Sequence, residues 1–524
     1  MARITHIGHD KGNLEEKRQT ILSLREMSLK GGGEEKIASQ HKKGKLTARE
    51  RIELLVDENS FCEIDQIRKS QHSELEMEKI EGDGVVTGYA TINGRRVFIY
   101  SQDFTVLGGS LGKTHAKKIC KVMDHALQSG CPIIGILDSG GARIQEGIDS
   151  LAGYGEIFYR NVMSSGVVPQ VSIILGPCAG GAVYSPALTD FIIMNQINSF
   201  MFVTGPQVVK TVTGEDVSFY DLGGSEVHSS LSGVSHLVGE DEEETINLAK
   251  KLLSYLPSNN LDDPPQEIDD IVENDQDILS DIIPEQENEP YDMKKVVETV
   301  LDHDSFFELQ ENWAKNIIVG FGRLEGLTVG IIANQPLFLG GAIEYNAADK
   351  AARFIRFCDS FNIPIITFVD VPGFMPGIKQ EHKGIIRHGA KMLFAYSEAT
   401  VPKLAVITRK AYGGAYIVMS SKHLGADINF AWPTAEIAVM GAEGACNIIY
   451  RKELKKAENP EQALQDFVAK YKKQFSNPIR AAEKGYVDKV ILPEETRIEL
   501  SNALKFLQNK RIDIPKRKHG NIPL

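Results

Sequence analysis

Short apolar stretches alternate with amphipathic stretches along most of this 524-residue chain. Residues 133–137 and 171–175 are apolar on both faces, which is typical of strands that lie between layers of helices. Glycine and proline stand at the joints between such stretches from 83 to 253. The pattern therefore predicts an α/β fold in which helices cover a sheet.

Two helices are predicted before this region, at 19–29 and 46–56. Thr47 precedes the second helix, and Glu50 follows three residues later. This spacing is typical of a capping box, in which each side chain bonds the backbone N–H of the other residue.

The pattern occurs twice. An apolar strand ends at Asp138, and a similar strand ends at Asp370 in the second half of the chain. A hairpin turn repeats with the same separation, in Gly94 and Gly326. A period of this length excludes a solenoid of small repeats and predicts a duplicated domain.

The duplication predicts three segments. We expect an N-terminal domain at 1–256 and a C-terminal domain at 291–524, each large enough for its own core. Residues 257–290 are acidic and rich in proline, which favours an interdomain linker.

Composition narrows the possible functions. The formal net charge is −13 and no long basic stripe occurs, which argues against nucleic-acid binding. The six cysteines are scattered without a Cys-x-x-Cys pair, so we predict neither a metal site nor a redox pair. No apolar run is long enough for a membrane span. The first twenty residues show neither a signal peptide nor a transit peptide, so we expect a cytoplasmic protein, or a mitochondrial matrix protein only in a eukaryote.

A Gly-Gly turn at the start of a helix also occurs in both halves, at Gly180-Gly181 and Gly413-Gly414. A helix start presents N–H groups that have no partner within the helix, and glycine lets an oxygen approach them closely. Close packing of strand and helix is the structural alternative. Two copies at matched positions favour two sites that stabilise anions.

The loop after the first repeated strand, 138–147, combines glycines with Arg143. Strand carboxyl ends form ligand sites in α/β folds, and an arginine there is suited to a phosphate or carboxylate. An ion pair between Arg143 and Glu146 is the alternative. The corresponding loop at 370–377 is apolar and stiff, which favours a flat, uncharged ring.

Several catalytic motifs are missing. Residues 108–114 resemble a P-loop, but Leu107 stands where the motif requires glycine. No Gly-x-Ser-x-Gly elbow with plausible partners is present, and no general base is evident beside either Gly-Gly turn. Two anion sites without a base indicate that a substrate supplies the base.

Residues 176–187 and 409–416 resemble the carboxyltransferase (β) subunits of biotin-dependent acyl-CoA carboxylases, in particular those of the propionyl-CoA carboxylase type. Residues 138–147, 384–391 and 431–441 resemble the same family. The similarity extends from about residue 45 to the end of the chain.

This resemblance implies two crotonase-like domains and a homo-hexamer built as a trimer of dimers. Acyl-CoA is expected on the N-terminal domain of one subunit, and carboxybiotin on the C-terminal domain of a facing subunit. Carboxybiotin is a co-substrate, and no tightly bound cofactor is expected. Because the chain lacks the Ala-Met-Lys-Met motif that carries biotin, a separate biotin carboxylase and biotin carrier (α) subunit are implied.

The implied reaction transfers a carboxyl group from biotin to a short-chain acyl-CoA, with propionyl-CoA giving methylmalonyl-CoA. By position, the oxyanion holes are Gly180 with Gly181, and Gly414 with Ala415. The expected substrate-binding residues are Gly140, Gly141, Ala142, Arg143, Tyr184, Tyr412 and Ile417. The expected biotin-binding residues are Pro372, Gly373, Phe374, Gly384 and Ile385.

The sequence departs from the family at two places. Ile417 stands where propionyl-CoA carboxylases often carry aspartate, and residues 339–349 differ from the usual family stretch. The alternative is therefore the carboxyltransferase subunit of a sodium-pumping methylmalonyl-CoA decarboxylase, which runs the half-reaction in reverse. A non-catalytic CoA-binding scaffold is a third hypothesis. The zinc-binding cysteines of the bacterial acetyl-CoA carboxyltransferase β chain are absent.

Overall fold

A computed structural model describes residues 11–70, 81–267, 271–284, 286 and 289–524. Contacts along the chain divide it into two compact units. The first comprises Met1–His228 and Val234–Lys251, and the second comprises Ser229–Gly233 and Leu252–Leu524.

The first unit contains an eight-stranded sheet. Its strands are β1 (Cys62–Ile64), β2 (Val85–Ile92), β3 (Arg95–Gln102), β4 (Ile133–Ser139), β5 (Gln170–Ala179), β6 (Phe191–Asn195), β7 (Phe200–Phe202) and β8 (Leu237–Gly239). The strand order is β1-β2-β3-β4-β5-β6-β8, and β7 pairs with the end of β5. β1, β2 and β3 pair antiparallel, and the remaining pairs are parallel.

The helices of this part of the chain are α1 (Lys11–Leu29), α2 (Glu34–Lys42), α3 (Ala48–Leu55), α4 (Lys113–Ser129), α5 (Ile148–Ser164), α6 (Tyr184–Leu188), α7 (Pro206–Thr213), α8 (Phe219–Gly223) and α9 (Glu242–Tyr255). The predicted capping box is confirmed at α3. Thr47 Oγ1 accepts the amide of Glu50 at 3.3 Å, and Glu50 Oε2 accepts the amide of Thr47 at 2.7 Å.

The second unit repeats the sheet. Its strands are β9 (Phe307–Leu309), β10 (Ile317–Leu324), β11 (Leu327–Asn334), β12 (Ile365–Val371), β13 (Lys403–Tyr412), β14 (Ile428–Ala431), β15 (Glu436–Ala438) and β16 (Lys489–Val490). The order β9-β10-β11-β12-β13-β14-β16, with β15 on the end of β13, matches the first sheet strand for strand. The predicted α/β duplication is confirmed.

The helices of the second unit are α10 (Leu279–Ile282), α11 (Met293–Val300), α12 (Tyr345–Ser360), α13 (Ile378–His382), α14 (Ile385–Glu398), α15 (Gly413–Val418), α16 (Ala442–Ile449), α17 (Arg451–Leu454), α18 (Pro460–Phe475), α19 (Pro478–Glu483) and α20 (Thr496–Leu507). None of the helices in the described part of the chain combines the length and the apolar character needed to cross a membrane.

Both sheets have the buried central strands that the apolar runs predicted. All seven residues of β4 are buried, and so are all seven of β12. The registers agree as well, because Phe98 pairs with Ile133 in the first sheet and the matching residues, Gly330 and Ile365, pair in the second. Apolar side chains on both faces of these strands leave no solvated face, so helices must cover the sheet on both sides.

Part of the acidic segment 257–290 packs on the second unit. Leu279 is fully buried and belongs to the same apolar cluster as Val296 and Val300. The hydroxyl of Thr328 donates to the carbonyl of Pro265 at 2.8 Å, and Arg323 pairs with Glu267 at 2.7 Å. Residues 268–270, 285, 287 and 288 lie outside the described residues. The proposed domain boundaries stay a prediction.

Each unit also buries a lysine at the same place. Lys118 on α4 donates to the carbonyls of Gly82 and Val85 at 2.9 and 2.6 Å. Lys350, at the matching position on α12, donates to three carbonyls at 2.9 Å. Burial lowers the pKa of each ammonium group to about 8. The lysine thus ties the helix to backbone carbonyls at and just before the start of the neighbouring strand.

Replacing Lys350 with methionine tests this role. The variant keeps the apolar stem but leaves the carbonyls of Gln310, Trp313 and Ile317 without this donor. The Gln310 carbonyl keeps the amide of Trp313 at 3.0 Å. A buried acceptor that loses its partner costs about 1–3 kcal/mol, so we expect a loss of about 3 kcal/mol in the free energy of unfolding, mainly from the Trp313 and Ile317 carbonyls, measured by denaturant titration. Lys295→Met, at an exposed position, is the control and should change stability by less than about 0.5 kcal/mol. Equal stability of both variants would contradict the assignment.

Candidate active site

The first Gly-Gly turn lies where β5 ends. Gly180 to Val183 form a single 3-10 turn that leads into α6, and Gly180 has a φ of 61°. Gly181 is partly exposed, and its amide donates to no loop or side-chain acceptor in the described part of the chain. A Cβ on Gly181 would lie 2.8 Å from the ring of Tyr154. Packing therefore requires a glycine here, and access of a ligand to the amide stays a prediction.

The second turn lies at the equivalent end of β13. Gly413 has a φ of 59° and begins α15, and Gly414 is exposed. A Cβ on Gly414 would meet no atom within 4 Å. The amides of Gly414 and Ala415 likewise donate to no loop or side-chain acceptor among the described residues. Packing gives no reason for a glycine at 414, which favours the interpretation that access to the amide is the reason.

The positive φ angles fix how the two turns correspond. Gly180 matches Gly413, so Gly181 matches Gly414. The residue that matches Ala415 is then Ala182. The predicted donor pair of the second unit, Gly414 with Ala415, therefore starts one residue later than the predicted pair of the first unit, Gly180 with Gly181. The assignment of donors stays a prediction.

Asp138, at the end of β4, is buried among cations. Its Oδ2 atom lies 2.6 Å from Lys45 Nζ and 2.9 Å from Arg51 Nη1. Arg51 also pairs with Glu242 at 2.7 Å. Burial lowers the pKa of Lys45, while the charge of Asp138 opposes that shift. These contacts fix the carboxylate at the strand end. They oppose a role in which it accepts a proton from a ligand.

Asp370 has the same position in the second unit, but a different cation. Arg409 Nε on β13 lies 2.9 Å from its Oδ2 atom, and the amide of Lys410 donates to Oδ1 at 3.0 Å. Burial raises the pKa of Asp370, and Arg409 opposes this. In the first unit, Gly176 leaves room near the carboxylate, since a Cβ there would lie 1.9 Å from Asp138 Oδ1. Sequence reasoning missed Lys45, Arg51 and Glu242, because they come from two segments that lie far from Asp138 along the chain.

The loop 140–142 runs across the end of β5. Gly141 has a φ of 105°, and a Cβ there would lie 2.9 Å from the carbonyl oxygen of Ala179. The amide of Leu111 donates to the carbonyl of Gly141 at 2.9 Å. The structure therefore brings this loop, with Gly140, Gly141 and Ala142, beside the first Gly-Gly turn. Their contact with a substrate stays a prediction.

The guanidinium group of Arg143 is turned inward. Its Nη1 atom lies 2.6 Å from Asp83 Oδ1 and 2.7 Å from Glu146 Oε1, and the side chain is 1% exposed. Nη2 donates to the carbonyl of Ser110 at 2.9 Å. The ion pair with Glu146 that the sequence left open is formed. This geometry favours a structural role for the side chain over a contact with a phosphate.

Tyr184 and Ile417 occupy matching positions after the two turns. Tyr184 is 49% exposed and lies edge-on to Phe158, with 6.2 Å between ring centroids. Tyr412 is almost buried, and its hydroxyl donates to Glu436. The structure thus leaves Tyr184 available to a ligand, whereas the Tyr412 hydroxyl is already engaged.

The residues predicted to bind biotin come together in two short segments. Pro372, Gly373 and Phe374 follow β12, and Gly384 and Ile385 begin α14. The ring of Phe374 packs on α14, where a Cβ on Gly389 would lie 2.9 Å from it. Ile385 is buried and Pro372 is exposed. The loop therefore lies against the helix, while its role in binding biotin stays a prediction.

Replacing Arg143 with methionine distinguishes the two roles of this residue. Removing one partner of a buried ion pair typically costs about 3–5 kcal/mol, so we expect a lower free energy of unfolding. Arg96→Met, at an exposed position, is the control. Unchanged stability with an increased KM for acyl-CoA would instead assign the side chain to the substrate.

Comparisons with known proteins identify the family and the fold of this chain. The family described as "Carboxyl transferase domain" matches residues 39–522. The carboxyltransferase subunit of propionyl-CoA carboxylase from Haloferax mediterranei is 58% identical over 514 residues, which cover 98% of this chain and 100% of that protein. The α subunit of methylmalonyl-CoA decarboxylase from Veillonella parvula is 55% identical over 497 residues, which cover 94% of this chain and 96% of that one.

A crystal structure of transcarboxylase 12S, a hexamer with methylmalonyl-coenzyme A and methylmalonic acid bound, has the same fold. Its TM-score is 0.94 at 49% sequence identity, and the match covers 100% of both chains. The two duplicated sheets are those of the crotonase-like fold that the sequence motifs implied. The matched family spans the strand-end aspartates, both Gly-Gly turns and the loops beside them, and the chain therefore belongs to the carboxyl transferase domain family.

Proposed function

We propose that this protein is a biotin-dependent acyl-CoA carboxyltransferase that moves a carboxyl group between carboxybiotin and the α-carbon of propionyl-CoA, giving methylmalonyl-CoA. The observation that carries the proposal is the pair of helix-start turns with accessible amides, one in each unit. The relative from Haloferax mediterranei, a propionyl-CoA carboxylase subunit, supports propionyl as the acyl group.

The chemistry requires two transient anions. As the bond between the biotin nitrogen and the carboxyl carbon breaks, CO2 leaves and the electron pair stays on the ureido group of biotin. That group takes the α-proton of the acyl-CoA, and the electrons of the C–H bond move onto the thioester oxygen. The α-carbon then bonds to CO2. Two oxyanions form, and each is suited to a pair of backbone N–H donors.

No side chain needs to act as the base. The two strand-end aspartates are buried and engaged by Lys45 and Arg51, or by Arg409. Contact with these buried cations opposes a role for either carboxylate as the proton acceptor. We therefore assign the proton acceptor to the biotin ureido anion, in agreement with the sequence, where no general base is evident beside either Gly-Gly turn.

We assign the thioester to the first turn, with Gly180 and Gly181, and biotin to the second, with Gly414 and Ala415. The position of 140–142 beside the first turn supports the acyl-CoA assignment. The apolar loop 372–374 against Gly384 and Ile385 supports the biotin assignment. Tyr184 and Ile417 then follow the two turns at equivalent positions and contribute to the shape of each cleft.

The family implies that carboxybiotin arrives on a carrier, since the chain has no Ala-Met-Lys-Met motif. A separate biotin carboxylase and a biotin carrier subunit are therefore the proposed partners. The hexameric transcarboxylase 12S supports a homo-hexamer. Its arrangement as a trimer of dimers is what the family resemblance implies. Relatives from bacteria and archaea support a cytoplasmic location.

The relative from Veillonella parvula favours a second candidate, in which the same half-reaction runs as a decarboxylation. Ile417 in place of the aspartate expected of many propionyl-CoA carboxylases is compatible with either direction. Reconstitution distinguishes them, because the carboxylase requires an ATP-dependent biotin carboxylase and the decarboxylase a membrane subunit.

The half-reaction can be measured on the chain alone. Purified protein with free biotin should release CO2 from methylmalonyl-CoA, and faster than from malonyl-CoA. Omitting biotin should abolish the release, because biotin accepts the carboxyl group. Release that does not depend on biotin, or no release from either substrate, would overturn the proposed function.

Gly414→Val tests the role of the second turn without disturbing its packing. Because a Cβ at 414 meets no atom within 4 Å, the variant should keep the wild-type thermal midpoint. The side chain should block access to the amide, and losing one such donor typically lowers kcat by about 10²–10³-fold. Gly444→Val, on α16, is a matched control, since a Cβ there meets only the sulfur of Met440, at 3.7 Å. Wild-type kcat in Gly414→Val would contradict an oxyanion role.

A further inference from the structure

A Leu-Gly-Gly turn occurs in both units, at Leu107–Gly109, where it overlaps the segment that resembles a P-loop, and at Leu339–Gly341. In both copies the leucine has a left-handed backbone, with φ of 51° at Leu107 and 53° at Leu339. Gly108 and Gly340 follow with φ of 64° and 61°. The two central residues of each turn are thus both left-handed, the geometry that asparagine and glycine normally supply.

A leucine in this conformation is strained, because its Cβ approaches the following carbonyl oxygen. Burial of the side chain does not offset that strain. Leu107 is 37% exposed and Leu339 is 52% exposed. A strained residue that the core does not require is a reason to look for a function of its side chain.

Both turns lie directly against the candidate active site. A Cβ on Gly109 would lie 2.0 Å from the carbonyl oxygen of Asp138, and the amide of Gly140 donates to the carbonyl of Gly108 at 3.0 Å. In the second unit, a Cβ on Gly341 would lie 2.5 Å from the carbonyl oxygen of Asp370. The backbone of each Leu-Gly-Gly turn therefore packs on the backbone at the end of a central strand. This packing fixes each leucine beside the loop that follows that strand.

The second turn is the more apolar of the two. Leu337 and Phe338, immediately before Leu339, are 48% and 43% exposed. Val106, at the position that matches Phe338, is buried. Three consecutive apolar side chains that end at Leu339 can cover the hydrocarbon part of a ring system, whereas a single leucine is suited to a narrow chain.

We propose that Leu107 and Leu339 are ligand-contacting residues, with Leu107 packing on the acyl-CoA and Leu339 on the bicyclic ring of biotin. The inference rests on the proposed function for the identity of the two ligands. Each leucine supplies an apolar contact that holds its ligand beside the amides, and the left-handed turn aims the side chain out of the fold.

Glycine substitutions separate this role from a structural one. Leu107→Gly removes the side chain and also relieves the strain, so the thermal midpoint should stay the same or rise. The KM for methylmalonyl-CoA should rise about tenfold, while the KM for biotin changes less than twofold. Leu339→Gly should show the opposite pattern. Calorimetric titration with propionyl-CoA, a measurement independent of turnover, should show a matching loss of affinity for Leu107→Gly only.

Three further variants serve as controls. Leu107→Asn fits a left-handed turn but lacks the apolar group, so its KM should rise as in the glycine variant. Leu107→Met keeps an apolar side chain and should restore the KM to within about twofold. Asn93→Gly relaxes an exposed left-handed residue in the hairpin turn of the first unit and should leave both KM values unchanged.

Unchanged KM values in both glycine variants would overturn the inference and leave the proposed function standing. A lower thermal midpoint, or a smaller oligomer by light scattering, would assign the leucines to packing or to contact with a second copy, and would also overturn it. Failure of the proposed function would give a different result, because the wild-type chain would then release no CO2 from methylmalonyl-CoA in the presence of biotin. The calorimetric titration would still decide the assignment of Leu107.

Discussion

A helix cannot satisfy the N–H groups of its own first turn, and both candidate anion sites of this protein depend on that constraint. Each unit places a helix start directly after its long central strand, so the unpaired amides face the carboxyl edge of the sheet. Gly180 and Gly413 make this sharp connection possible, because their left-handed backbones redirect the chain within one residue. The loops, aspartates and leucine turns are all arranged around these two points.

The duplication shows which features belong to the fold and which to the individual site. The left-handed Leu-Gly turn, the buried lysine and the aspartate at the strand end occur in both units. The partner of that aspartate differs, since Arg409 comes from the adjacent strand while Lys45 and Arg51 come from the N-terminal segment. A buried carboxylate must be compensated, but any cation within reach satisfies the requirement. The loops diverge most, with a buried Arg143 in one unit and Met375 at the matching position in the other.

Most of the fold could be predicted from the sequence. Short apolar runs such as 133–137 repeat at a fixed separation, and this repetition indicates buried strands in two copies of one domain. The positions of the Gly-Gly turns and the loop 140–142 were also predictable from motif spacing. The direction of the Arg143 side chain could not be predicted from the sequence. The sequence allows the guanidinium group to pair either with Glu146, three residues later, or with a ligand. Asp83 decides that competition, and it lies far from Arg143 along the chain.

The sequence by itself determined the α/β class, the duplication and the two helix starts with glycine, because each depends on local periodicity and on backbone freedom at single residues. Only the tertiary structure decided which charges meet at Asp138, which glycines are required by packing and which leave open space, and that two exposed leucines adopt a left-handed backbone. Those outcomes depend on contacts between segments far apart in the chain, and the pattern of residues within any one segment does not encode them.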